Sequence, residues 1–66
     1  MKFRFYYIEN YKNKFYKDII SNNLEEALQK FDKFINEKYK TPIEIVYIEK
    51  LYYKDKILIH QEVKKE

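Results

Sequence analysis

The sequence has no cysteine, no glycine and no tryptophan, and it holds one proline and one histidine. Each absence closes a route. Without cysteine there are no disulfides, no thiolate metal sites and no thiol chemistry. With a single imidazole, His60, any metal site would rest on carboxylates alone. Without glycine there is no phosphate-cradling loop, and any turn position needing positive φ falls to asparagine or aspartate. No apolar run approaches the ~20 residues of a membrane span, and the start, Met1-Lys2-Phe3-Arg4-Phe5, lacks a signal-peptide pattern. A cytoplasmic protein is expected.

What is present is aromatic and charged. Tyrosine and phenylalanine supply 20% of the 66 residues, which argues for a packed fold and against disorder. Charged residues make up 38%, yet the net charge is only +3, with lysine and glutamate interspersed, so the balance by itself implies no nucleic-acid partner. A chain this short has room for one domain, residues 1–66, and buries only about 60% of the surface its unfolded form exposes. Small domains lean on disulfides, a metal or a partner chain; with the first two removed, another protein surface is left.

Residues 2–9 alternate and are rich in strand formers, with Phe3, Phe5 and Tyr7 on one face and Lys2, Arg4, Tyr6 and Ile8 on the other. Asn10-Tyr11-Lys12-Asn13 is a polar break in which Asn10 and Asn13 suit positive φ. Residues 14–20 return as a second strand. Placing Phe15 and Ile19 with Phe3 and Phe5 sets Tyr16, Asp18 and Ile20 beside Arg4 and Tyr6, makes Asp18 a cross-strand partner of Arg4, and leaves Lys17 to snorkel at the margin of the core.

The helix has the clearest signature. Asn23 is an N-cap with Glu26 at the capping-box position. Leu24, Ala27, Leu28, Phe31, Phe34, Ile35 and Tyr39 trace one apolar stripe, and Glu26–Lys30 is a favourable i,i+4 pair. Lys38 and Lys40 suit the negative end of the helix dipole, and Pro42 stops the helix. Ile43–Tyr53 is apolar in both alternation classes and reads as an inner strand with both faces covered. Lys54-Asp55-Lys56 is a turn, residues 57–63 form the last strand, and Lys64-Lys65-Glu66 is a solvated tail. The fold class is α+β: a single ββαββ domain with one antiparallel sheet and one amphipathic helix.

One helix covers one face of a sheet. The other face then carries Tyr6, Ile8, Tyr16 and Ile20 among Lys2, Arg4 and Asp18, with either Ile45 and Tyr47 or Val46 and Ile48 from the third strand. That composition is apolar for an open antiparallel face and suits an interface. The candidate protein-binding residues are Arg4, Tyr6, Ile8, Tyr16, Ile20 and Tyr47, serving a homodimer or a larger partner, or an edge strand that adds to a partner sheet. An alternative from another class is single-stranded nucleic-acid binding by Lys2, Arg4, Tyr6, Lys14, Tyr16 and Lys17, with tyrosines stacking on bases. The sequence has one arginine and lacks the glycine-aromatic signature of RNA-recognition sheets.

Catalysis finds little support. Ser21 and Thr41 sit at helix boundaries, His60 is a strand histidine, and Glu25 and Glu26 diverge by about 100° around the helix. Glu9, Glu44, Glu49 and Glu62 read as strand and edge charges that guard against wrong pairing. No enzyme activity, cofactor or metal is expected.

The segment Ser21-Asn22-Asn23-Leu24-Glu25-Glu26-Ala27-Leu28-Gln29-Lys30-Phe31, following an N-terminal hairpin, resembles the strand-to-helix entry of HicB-like antitoxin domains. The resemblance covers the first half and implies a hairpin followed by a helix. HicB-like chains typically have glycine and proline in the preceding loop and a DNA-binding tail; this one has neither, so DNA binding and toxin neutralisation are not implied. In size and in its surplus sheet face the chain is also similar to compact phage-encoded inhibitors such as anti-CRISPR proteins, which implies a non-catalytic inhibitor or regulator.

Overall fold

The computed structural model describes residues 1–64. Residues 65 and 66 of the expected tail lie outside the described residues. The chain folds in the order β1 (Lys2–Glu9), β2 (Asn13–Ile20), α1 (Leu24–Lys38), β3 (Ile43–Lys54) and β4 (Ile57–Val63). The four strands form one antiparallel sheet in the order β2-β1-β3-β4. This is the ββαββ arrangement expected from the sequence.

The first hairpin has the register that alternation predicts. Phe3 pairs with Ile19, Arg4 with Asp18 and Tyr6 with Tyr16. Phe3, Phe5, Tyr7 and Ile19 are buried beneath α1, which meets them with Ala27 and Phe31. The Phe5 and Phe31 rings stack with centroids 4.4 Å apart, and Tyr7 sets its edge against Phe31. Leu24, Leu28, Phe34, Ile35 and Tyr39 complete the packing. Lys17 lies on this side, its ammonium 4.7 Å above the Phe34 ring, so its stem shields the core margin while the charge keeps a favourable π face.

Helix entry and exit also follow the local chemistry. The Asn23 side chain accepts the Glu26 N–H at 2.8 Å. Glu26 does not return the capping-box bond to Asn23 among the described contacts. Its carboxylate takes Asn22 at 3.3 Å and Lys30 at 3.2 Å, and Lys30 also donates to the Ile20 carbonyl. The buried Ser21 hydroxyl donates to the Asn23 carbonyl, which confirms a junction role. The helix ends at Lys38, and the carbonyl of Pro42 accepts the Asn10 N–H, tying the α1–β3 connection to the first turn.

The hairpin turns match the expectation at Asn10 and Asp55 and depart from it at their neighbours. Positive φ falls on Asn10 (52°) and Tyr11 (64°), and on Asp55 (50°) and Lys56 (65°); Asn13 is instead the first residue of β2, and Lys54 pairs with Ile57 inside the ladder. Two consecutive positive-φ residues are the mark of the turn whose twist matches a hairpin, and a tight reversal needs them whatever the side chain. Tyr11 and Lys56 therefore occupy positions that favour glycine. Replacing Tyr11 or Lys56 with glycine is expected to stabilise the fold by about 0.5–1 kcal/mol each, read as a higher urea midpoint at unchanged slope. A lower midpoint for both would show that the tyrosine and lysine repay their backbone cost.

The third strand corrects the expectation of a simple alternation. Tyr6 faces Tyr47 but Tyr7 faces Ile45, so Val46 is an extra residue bulged out of the β1–β3 ladder. The bulge puts Ile45 and Ile48 together on the helix side and leaves Tyr47 on the other, a split that neither regular alternation provides. The expectation that β3 is covered on both faces is not met within the chain: α1 covers one face only, and Tyr47 on the other is exposed. β1 stops at Lys2, opposite Leu51. The remainder of β3 and its partner stretch of β4 run on as a two-stranded arm, and the molecule measures 41 × 22 × 22 Å. On that arm Tyr52, Tyr53, Ile57 and Leu58 are exposed.

Candidate protein-binding face

The sheet face opposite α1 is built in cross-strand rows. Pairing places Tyr16, Tyr6 and Tyr47 side by side across β2, β1 and β3. The Tyr6 and Tyr47 rings stack at 4.4 Å and 19°, while Tyr16 tilts against Tyr6 at 6.1 Å. Such pairs add about 0.5–1.5 kcal/mol beyond their area burial and hold the rings in fixed orientations. Tyr16 is 58% exposed and Tyr47 40%, so the row is a rigid aromatic strip open to solvent.

The next row is ionic: Asp18, Arg4, Glu49 and Glu62 stand side by side. Arg4 forks onto Asp18, with Nε 2.7 Å from Oδ1 and an Nη 3.0 Å from Oδ2, and its guanidinium lies 4.3 Å above the Tyr16 ring. The Tyr6 hydroxyl donates to Glu49 Oε1 at 2.7 Å, and His60 Nδ1 lies 3.1 Å from the same oxygen. The aromatic strip is thus braced from one side by Arg4–Asp18 and Glu49–His60. A third row, Ile20, Lys2, Leu51 and His60, follows. Leu51 is buried although it lies outside the helix-side core, and Ile20 at the row's end is 71% exposed.

Six residues were expected on this face. Arg4, Tyr6, Tyr16 and Tyr47 are in mutual contact through Tyr6 and Tyr16, and Ile8 lies one row beyond them, paired with Lys14. Ile20 shares the face but is separated from the tyrosines by the ionic row. Of the nucleic-acid set, Lys2, Arg4, Tyr6, Lys14 and Tyr16 share this face and Lys17 lies on the helix side. The sequence reading missed the joining of Tyr6, Glu49 and His60, because residues 43 positions apart meet only once β3 docks beside β1. It also missed the exposed arm. A signal for the arm was present in the greater length of the third apolar run over the first, which leaves one end without a neighbour.

These contacts shift several titrations. Hydrogen bonding to Arg4 holds the Asp18 carboxyl below its usual range. Bonds from Tyr6 and then His60 do the same for Glu49, and bonds from Asn13 and Thr41 for Glu9. The Tyr6 hydroxyl is raised by its bond to Glu49, and Tyr7 is raised by burial and by its 2.7 Å contact with the Tyr39 hydroxyl. A depressed carboxyl contributes stability that is present above its unfolded pKa, about 4, and lost as pH falls through the folded value. A raised tyrosine contributes stability that is present below its unfolded pKa, about 10, and lost as pH climbs past it. The urea midpoint is therefore expected to drop between about pH 5 and pH 2 and again above about pH 10. Asp18→Asn should flatten the acid arm. A midpoint constant between pH 5 and pH 3 would show these carboxylates to be energetically silent.

Chemically the face offers stacking rings and paired charges. Its joined titratable groups include the Arg4–Asp18 pair and the Tyr6, Glu49 and His60 cluster, in which one Glu49 oxygen is shared between two neighbours. Compared with known protein families, curated proteins and solved structures, the chain matches none of them.

Proposed function

We propose that the protein is a small non-catalytic binding module, of the kind that serves as an inhibitor or regulator, and that it docks another protein on the strip formed by Tyr16, Tyr6 and Tyr47. The supporting observation is this strip of solvent-open rings on the sheet face away from α1, oriented by stacking and braced by Arg4. Tyrosine and arginine are enriched in the energetically dominant part of interfaces, because large rigid side chains bury area at low entropic cost.

Charge separates this reading from nucleic-acid binding. The strands place Lys2, Arg4 and Lys14 on the open face together with Asp18, Glu44, Glu49 and Glu62. Carboxylates outnumber cations there, and the one arginine already serves Asp18. A phosphate backbone needs cations that are free to displace its counterions.

The test is affinity capture from the native host, with and without nuclease treatment, with the wild-type protein and with Tyr16→Lys and Tyr47→Lys as baits. Both rings project outward, so neither change opens the core. A protein retained by the wild type and lost from both variants supports the reading. Equal retention by all three baits moves the contact off this face. Retention that disappears with nuclease treatment assigns the face to nucleic acid.

A further inference from the structure

The exposed arm has an edge, and that edge differs from the other edge of the sheet. β2 intersperses Lys14, Lys17 and Asp18 along its length, which are charges of the sort that prevent edge-to-edge pairing. β4, the opposite edge, begins Ile57-Leu58-Ile59-His60 with no carboxylate or lysine. Its apolar residues alternate in face: Ile57 and Ile59 share the side of Tyr52, and Leu58 shares the side of Tyr53. α1 packs on β1 and β2 and leaves this arm bare. The apolar start of this edge, Ile57–Ile59, lies beyond the helix with Ile57 and Leu58 exposed, and an apolar edge without a neighbour is a template for strand addition.

We propose that the occupant of this edge is a second copy of the chain, with β4 pairing antiparallel to β4 of the partner about a two-fold axis at Ile59, to give a continuous eight-stranded sheet. Pairing geometry limits the choices. A two-fold axis normal to the sheet must pass through a residue, since a one-residue slip would oppose side chains from different faces. Centring on Ile59 sets Ile59 against Ile59 of the partner subunit, Leu58 against His60 of the partner subunit and Ile57 against Gln61 of the partner subunit. It also brings Lys56, the turn residue that leads into β4, close to Glu62 of the partner subunit, twice by symmetry. Centring on His60 opposes Lys56 to Lys64 of the partner subunit and Leu58 to Glu62 of the partner subunit. Centring on Leu58 opposes Lys56 to His60 of the partner subunit. The Ile59 register thus joins apolar to apolar at the axis and cation to anion at both ends. Within its own sheet Glu62 stands opposite Glu49, a like charge, so a lysine arriving from the partner relieves an existing conflict.

This surface is distinct from the tyrosine strip, and the two readings stand or fall separately. Sedimentation velocity across a concentration series is expected to show the mass rising toward twice the monomer value. Lys56→Glu and Glu62→Lys each turn two attractive pairs into two repulsive ones and are expected to weaken the dimer roughly tenfold or more. Mixed in equal amounts, these two variants restore opposite charges at both ends and are expected to form a heterodimer of wild-type strength. Tyr16→Lys and Tyr47→Lys leave the self-association unchanged. A wild-type mass that stays monomeric throughout the series overturns the proposal. So does a dimer indifferent to both charge reversals, or one that the mixture fails to rescue.

Discussion

Phe5→Ala is expected to leave the protein largely unfolded at 25 °C. Phe5 is fully buried, and its ring stacks on Phe31 where β1 meets α1. Truncating a buried phenylalanine costs about 3–5 kcal/mol in lost transfer energy and residual cavity. A chain of 66 residues has, at the usual stability per residue, a total on the order of 3–10 kcal/mol. The cost is therefore comparable with all the stability there is. Phe5→Leu keeps most of the volume and should fold with a lower melting temperature. Circular dichroism against temperature reads both. If Phe5→Ala melted within a few degrees of the wild type, the core would not be centred on the Phe5–Phe31 stack.

Single-residue deletions in β3 should give the second large effect, and a contrast within it. Val46 is the extra residue of the bulge, and Ile45 and Tyr47 flank it on opposite faces. Deleting Val46 makes these two neighbours in a regular strand, where adjacent side chains point to opposite faces anyway. The helix-side packing of Ile45 and Ile48 and the stacking of Tyr47 on Tyr6 both survive. The variant is expected to fold within about 1 kcal/mol of the wild type, roughly the cost of an adjusted bulge. Deleting Glu49, three positions on, has no bulge to absorb it. Either Ile48 leaves the core or every residue from Lys50 onward changes face, turning Leu51 and the β4 ladder out of register. That variant is expected to be unfolded. Equal stability of the two deletions would show that the bulge does not set the register of β3.

The candidate face was legible in the sequence to different depths. Tyr6, Tyr16 and Arg4–Asp18 follow from alternation within one hairpin, where the turn sets the register and both strands lie within 20 residues. Tyr47 was one of two options for the third strand, because the apolar residues of Ile43–Tyr53 occupy both alternation classes. Deciding between them took the bulge, and a bulge is a compromise between two strands that the sequence of either alone does not disclose. Glu49 read as a strand or edge charge, and only the docking of β1 and β4 on either side of β3 brings its carboxylate to Tyr6 and His60.

The sequence by itself determined the local elements. Periodicity set the helix and its buried stripe, Asn23 set its start, and period-two alternation set the inner face of β1 and β2. All of these depend on side chains a few residues apart. Tertiary structure alone decided the strand order, the bulge at Val46 and the bare arm formed by the overhang of β3 and β4. These arise from matching lengths and registers of segments distant in the chain, and no spacing within one segment records how long its neighbour will be.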